Sequence, residues 1–141
     1  MTYGALGMLD AACHCRAELF RVRLSEGVNS ARRCDCSFCR MRGAVVVSAQ
    51  VGDIVFVRRE ENLSLYQFNT QVARHYFCKT CGIYTHRQRR PDPRQFGVNV
   101  ACLAGMSPFD FPEVLVMNGV VHPSDADGAD RLAGVLRFSK T

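Results

Sequence analysis

Eight cysteines dominate the chemistry that this 141-residue sequence can offer. Seven fall in three tight clusters: Cys13 and Cys15 in C-H-C, Cys34, Cys36 and Cys39 in C-D-C-S-F-C, and Cys78 and Cys81 in C-K-T-C-G. Cys102 stands alone. Scattered core cysteines would not cluster in this way, and metal ligands would. On a strand, residues i and i+2 point to one face, so a C-x-C pair could aim two sulfurs at one point. A C-x-x-C followed by glycine is a metal knuckle in which Gly82 can supply a positive φ. Zinc closes a structural site with four ligands, whereas a reactive site keeps three protein ligands and an open place. The spacing therefore suggests a closed site from Cys13, Cys15, Cys78 and Cys81. A second zinc would lie on Cys34, Cys36 and Cys39, with either an open place or a histidine completing it. His14 is read as structural. His75 and His86 flank the knuckle as candidate outer partners of the metal, and Cys102 is read as a small buried hydrophobe.

Composition sets the frame for those sites. Apolar residues make up 48% and charged residues 22%, enough for a packed core and against long disorder. The length suits one domain over residues 1–141. No apolar run approaches the roughly 18 residues of a membrane-spanning helix. The opening stretch has no positive region and meets Asp10, so an export signal is not expected. Reduced cysteines and a cytoplasmic setting are the expectation.

The formal net charge is +5: residues 1–90 carry 14 basic and 7 acidic side chains, and residues 91–141 carry 4 and 6. Metal-bound thiols are deprotonated. Four on one zinc and three on another would bring the charge to about +2. That footprint is weak for nucleic acid, and no recognition-helix pattern follows the cysteines. Arg32, Arg33, Arg40 and Arg42 stand beside the second cluster, either as counter-ions to thiolates or as partners for an acidic small molecule.

The elements that must position these groups read mainly as strands. They are expected at 18–24, 44–47, 54–57, 63–68, 74–77, 83–87, 96–100, 114–117 and 133–138. Short helical turns are expected at 37–41 and 51–53. Tyr66, Phe68, Tyr76, Phe77 and Tyr84 are expected mostly in the core, and Asn69 and Asn99 as buried network members or site residues. A sheet edge could pair with another copy, although no residue-level argument requires a homo-oligomer.

Taken in order, C-H-C, C-D-C-S-F-C-R-M-R-G-A, L-Y-Q-F-N-T, H-Y-F-C-K-T-C-G-I-Y-T-H and G-V-N-V-A-C-L resemble the glutathione-dependent formaldehyde-activating enzyme family. That family also includes centromere protein V, and this chain resembles its short members. The resemblance spans residues 11–123. It implies a mainly β fold, a β-tent of antiparallel sheets stapled by two zinc ions. It also implies a structural zinc on Cys13, Cys15, Cys78 and Cys81 and a catalytic-type zinc on Cys34, Cys36 and Cys39. Many members have glycine directly after the first C-x-C, where this chain has Arg16. The implied activity is that of a carbon–sulfur lyase, joining a thiol such as glutathione to a small aldehyde such as formaldehyde. A zinc-stabilised binding module without catalysis is the alternative. A thiol-redox protein, cycling its cysteines through disulfides, is the third reading.

Overall fold

A computed structural model describes residues 7–58, 60–68, 71–89, 92–120 and 132–141. Asn69 lies outside the described residues.

The fold is mainly β, as expected, and the described residues form ten strands in one hydrogen-bonded sheet. The strands are β1 (Leu9–Ala12), β2 (Leu19–Leu24), β3 (Arg32–Cys34), β4 (Val46–Arg58), β5 (Leu63–Tyr66), β6 (Arg74–Cys78), β7 (Tyr84–Gln88), β8 (Gln95–Asn99), β9 (Glu113–Met117) and β10 (Leu132–Arg137). Among the described residues a single four-residue α-helix, α1 (Cys39–Arg42), ends at Gly43, whose φ of 70° lets the chain leave the turn.

The thirteen-residue β4 is the ridge on which the rest hangs. Its first half pairs with β8, from Val46 opposite Asn99 to Gln50 opposite Gln95. Its second half pairs with β2, from Ile54 opposite Val22 to Arg58 opposite Leu19. The strands expected at 44–47 and 54–57 are thus one strand, and the helical turn expected at 51–53 is extended chain. Around Gly52 and Asp53 the pairing with β2 shifts register as a bulge: Val22 faces Ile54, yet Leu24 faces Ala49. From β4 the sheet runs through β8, β7 and β6 to β5 on one side, and through β3 and β9 to β10 on the other.

The pairs are antiparallel with one exception, β3 against β9, where Cys34 faces Met117. Neither β1 nor β3 was expected from the sequence. Each is short and is held by its partner, with little apolar alternation of its own.

β2 alternates cleanly, burying Phe20, Val22 and Leu24 between exposed Arg21 and Arg23. These meet Val45, Val47, Ala49, Val98, Val100 and Leu103 in the core. Cys102 lies in that core as read, with its thiol on the Tyr84 carbonyl at 3.4 Å, and burial pushes it up to about 12. Asn99 is a buried network member. Its amide donates to the Tyr84 carbonyl at 2.8 Å, and its Oδ1 accepts from the N–H of Ala101.

His86 is buried among Phe20, Phe56, Tyr76 and Phe96, so it packs as a core residue and is not a member of either cysteine group. Burial lowers it from 6.5 to about 4. Below pH 6.5 the unfolded chain takes up a proton that the folded chain refuses. Stability present above that pH is therefore lost as pH falls towards 4. Urea unfolding of His86→Phe between pH 7 and pH 4, at fixed zinc, should give a shallower acid decline than the parent by about 1–3 kcal/mol. Parallel declines would show that His86 titrates alike in both states.

Candidate metal centres

The first C-x-C does not sit on a strand. Cys13, His14 and Cys15 form a turn after β1, closed by the Arg16 N–H on the Cys13 carbonyl at 3.2 Å. Arg16 itself has φ 64°, the left-handed conformation that glycine adopts without steric cost. Glycine at this place would relieve that strain. Arg58 bonds only the Arg16 carbonyl, so a glycine would keep that contact. Arg16→Gly should therefore gain about 0.5–1 kcal/mol in urea unfolding, and Arg16→Val should lose more than that. A less stable glycine variant would refute this account of strain.

The knuckle lies between β6 and β7. Gly82, at φ 80°, turns the chain so that its N–H meets the Cys78 carbonyl at 2.8 Å. The turn carries Cys78 and Cys81 to the Cys13–Cys15 loop, and all four sulfurs lie within 4.8 Å of one another. The Sγ atoms of Cys13 and Cys15, and those of Cys15 and Cys78, are 3.7 Å apart. Four sulfurs at about 2.3 Å from a zinc ion form a tetrahedron with edges of about 3.8 Å. A disulfide would need about 2.05 Å, and all eight cysteines are free. The donor set and its spacing fit zinc.

The hydrogen bonds to these sulfurs come from neutral donors. The Glu18 N–H donates to Cys13 at 3.3 Å, and the Asn62 amide donates to Cys78 at 3.6 Å. Burial pushes Cys13 up to about 12. Burial acts in the same direction on Cys81, but hydrogen bonds from the backbone of Cys15 and Ile83 and from the thiols of Cys78 and Cys15 hold it down at about 6. Without a cation the sulfurs cannot all be ionised together.

Cys34, Cys36 and Cys39 form the second group, again within 4.8 Å of one another. Among the described residues no fourth cysteine, histidine or carboxylate joins them. Backbone N–H groups of Cys36 and Cys39 donate to Cys34 and Cys36 at 3.4 and 3.2 Å. Thiol hydrogen bonds from Cys34 and Cys39 drive Cys36 far below the usual range, and bonding to Cys34 and Cys36 drives Cys39 far above it. The β3–β9 pairing brings residues 117–120 against this group. The Gly119 N–H donates to Asp35 Oδ1 at 2.6 Å, and a Cβ on Gly119 would overlap the sulfur of Cys34.

The four arginines flagged in the sequence part company. Arg32 bonds the Ser30 carbonyl and Ser48 Oγ, Arg40 is exposed and Arg33 is half-buried. Arg42 reaches Cys39 Sγ at 3.4 Å. Arg87, missed as a site residue, reaches the same sulfur at 3.4 Å. It stands 48 residues away in sequence, so no local signal could have found it. His75 joins through Arg42, accepting from its Nη1 at 3.2 Å on Nδ1. Burial and the charges of Arg42 and Arg87 lower His75 to about 3, so its ring stays neutral.

Of the aromatics expected in the core, Tyr84 is buried, while Tyr66 is 45% exposed. Tyr66 and Phe68 pack with Phe38 and His75 into a wall beside the second group.

A mainly β sheet that gathers four sulfurs at one point and three at another defines a protein with two candidate zinc centres. The profile of the glutathione-dependent formaldehyde-activating enzyme family matches residues 8–114, and the chain belongs to that family. It is also similar to a crystal structure of a Rhodobacter sphaeroides protein from a structural-genomics effort. That protein is 55% identical, and the match covers 75% of this chain and 97% of the other with a TM-score of 0.74. No helix among the described residues is long and apolar enough to cross a membrane.

Proposed function

We propose that the chain is a single zinc-binding domain over residues 1–141 that joins a thiol such as glutathione to a small aldehyde such as formaldehyde, a carbon–sulfur lyase activity in the synthetic direction. Cys13, Cys15, Cys78 and Cys81 hold a structural zinc, and Cys34, Cys36 and Cys39 hold the reactive one. One observation carries the reading: the second group offers three sulfurs where the first offers four. Family membership supports the substrate class, and eight free thiols suit a reducing, cytoplasmic setting.

A free thiol of pKa near 8.5 is only a few per cent ionised at neutral pH; Cys34, Cys36 and Cys39 would hold a zinc ion that would supply the acidity to ionise a substrate thiol. The substrate sulfur then forms a bond to the aldehyde carbon. The carbonyl electron pair moves to oxygen, which takes a proton to give the S-hydroxymethyl thiol. The chain's own residues hold the reactive geometry. Arg42 and Arg87 fix the Cys39 sulfur, and Asp35 ties residue 119 against Cys34. Phe38, Tyr66 and Phe68 form one side of the approach.

Metal analysis tests the division of the cysteines. The parent should carry two zinc ions per chain, and Cys36→Ser should carry one with the fold retained. Glutathione added to cobalt-substituted parent should change the sulfur-to-metal absorption, and Cys36→Ser should not respond. A parent with one zinc, or an unchanged cobalt spectrum, would favour a binding module over an enzyme.

A further inference from the structure

The two cysteine centres differ in the charge that surrounds them. The four-cysteine group accepts hydrogen bonds from backbone N–H groups and one amide, all neutral. The three-cysteine group has two guanidinium groups on one sulfur, Arg42 Nη2 and Arg87 Nη1, each 3.4 Å from Cys39 Sγ.

Both arginines are held rigidly. The Arg42 guanidinium lies 3.5 Å from the centre of the Tyr84 ring and 4.6 Å from that of Phe38, with neutral His75 accepting from its Nη1. Arg87 lies against Gly97, where a Cβ would come within 3.2 Å of its Nε. The Nε of each arginine is shut away from solvent. Among the described residues neither pairs with a carboxylate; the ion pairs there join Arg21 to Asp10, Arg94 to Asp92 and Arg137 to Glu113.

Three thiolates and a divalent cation sum to −1; the two guanidinium groups on Cys39 add +2 and the neighbouring Asp35 carboxylate, bonded to the Gly119 N–H, subtracts one, which brings the local sum to zero. Four thiolates and a divalent cation sum to −2 with no such correction. We infer that Arg42 and Arg87 are positioning residues that bias the remaining place of the Cys34, Cys36 and Cys39 centre towards an anionic ligand over a neutral one. This inference rests on the proposed function in one respect, that this centre holds a metal with a place open. It adds that the preference for an ionised thiol is set by the two arginines through Cys39.

The size of the effect follows from Coulomb's law. A guanidinium 3.4 Å from Cys39 Sγ lies within about 6–8 Å of a ligand on the same ion. In an effective dielectric of about 20, each such charge changes an anion's dissociation constant by tenfold or more. Its effect on a neutral ligand is far smaller. Arginine suits the task because its charge persists at any working pH and its planar fork can serve a sulfur and a ring together.

The test uses the full-length chain loaded with cobalt, titrated with azide as an anion, 2-mercaptoethanol as an ionisable thiol and imidazole as a neutral ligand. Arg87→Gln and Arg42→Gln should each weaken azide and thiol binding by tenfold or more and leave imidazole within about twofold. Arg87→Lys should recover much of the anion preference, and exposed Arg40→Gln should change nothing. Equal weakening of azide and imidazole would assign the arginines a packing role and overturn the inference, as would unchanged azide binding. Arg42, at the end of the short helix, provides the reading if Arg87→Gln does not fold. A parent chain that loads only one metal, or binds none of the three ligands, overturns the proposed function and this inference with it. Two loaded metals without an arginine-dependent anion preference overturn the inference alone.

Discussion

Cys78→Ser should leave the chain without a fixed tertiary structure at room temperature, and a chelator that strips the four-cysteine centre should do the same to the parent. Cys78 is fully buried, and its sulfur lies 3.7 Å from that of Cys15, 63 residues away in sequence. This centre ties the loop between β1 and β2 to the turn between β6 and β7. In zinc-finger peptides structural zinc contributes about 10–16 kcal/mol of apparent folding free energy. A domain of this size has about 5–15 kcal/mol of net stability. Loss of the tie is therefore as large as the whole margin. Near-ultraviolet circular dichroism and an amide proton spectrum check it. A variant with native dispersion and a cooperative melt near that of the parent would show that the strands hold the two loops together without metal.

Gly119→Ala should empty the three-cysteine centre while sparing the fold, taking zinc from two ions per chain to one and lowering thiol–aldehyde turnover at least a hundredfold. A Cβ at this position would overlap Cys34 Sγ and come within 2.8 Å of Cys36 Cβ and 3.0 Å of the Cys36 amide nitrogen. Real Cβ atoms essentially never approach so closely, so the sulfurs or the loop must move. The loop cannot withdraw freely, because the Asp35 carboxylate holds the Gly119 N–H at 2.6 Å. Cost to the fold should be small, since neighbouring Val120 is 72% exposed and the core lies elsewhere. The need here is for close approach; it does not depend on a left-handed backbone. An alanine variant that keeps both zinc ions would show that the loop gives way easily.

The physical basis of legibility differs between the two centres. C-H-C and C-K-T-C-G each complete half of a site within a few residues, so spacing alone brings the sulfurs close. It reads Cys13 and Cys15 correctly as a pair but for the wrong reason, because they sit on a turn and not on a strand. The short helix near the second cluster was also legible, at Cys39–Arg42. The helical turn expected at 51–53 does not form, because neighbours on both edges of β4 carry the strand through it. β1 and β3 left no periodic signal, because pairing forms them and their own apolar pattern does not.

The amino-acid sequence by itself determined the ligand types, their grouping into seven clustered sulfurs and one apart, the mainly β class and the family. Those properties depend on residue identity and on separations of two or three positions. The division of the sulfurs into four and three was suggested by their spacing and is matched by the two groups in the fold; only the tertiary structure decided that Arg87 and Arg42 converge on Cys39 and that Gly119 lies against Cys34. Each of these depends on strands distant in sequence being set side by side: the β4–β8–β7 run for Arg87 and the parallel β3–β9 pairing for Gly119. Hydrogen-bonded register between remote strands is a property of the whole packed sheet, and no local window of residues encodes it.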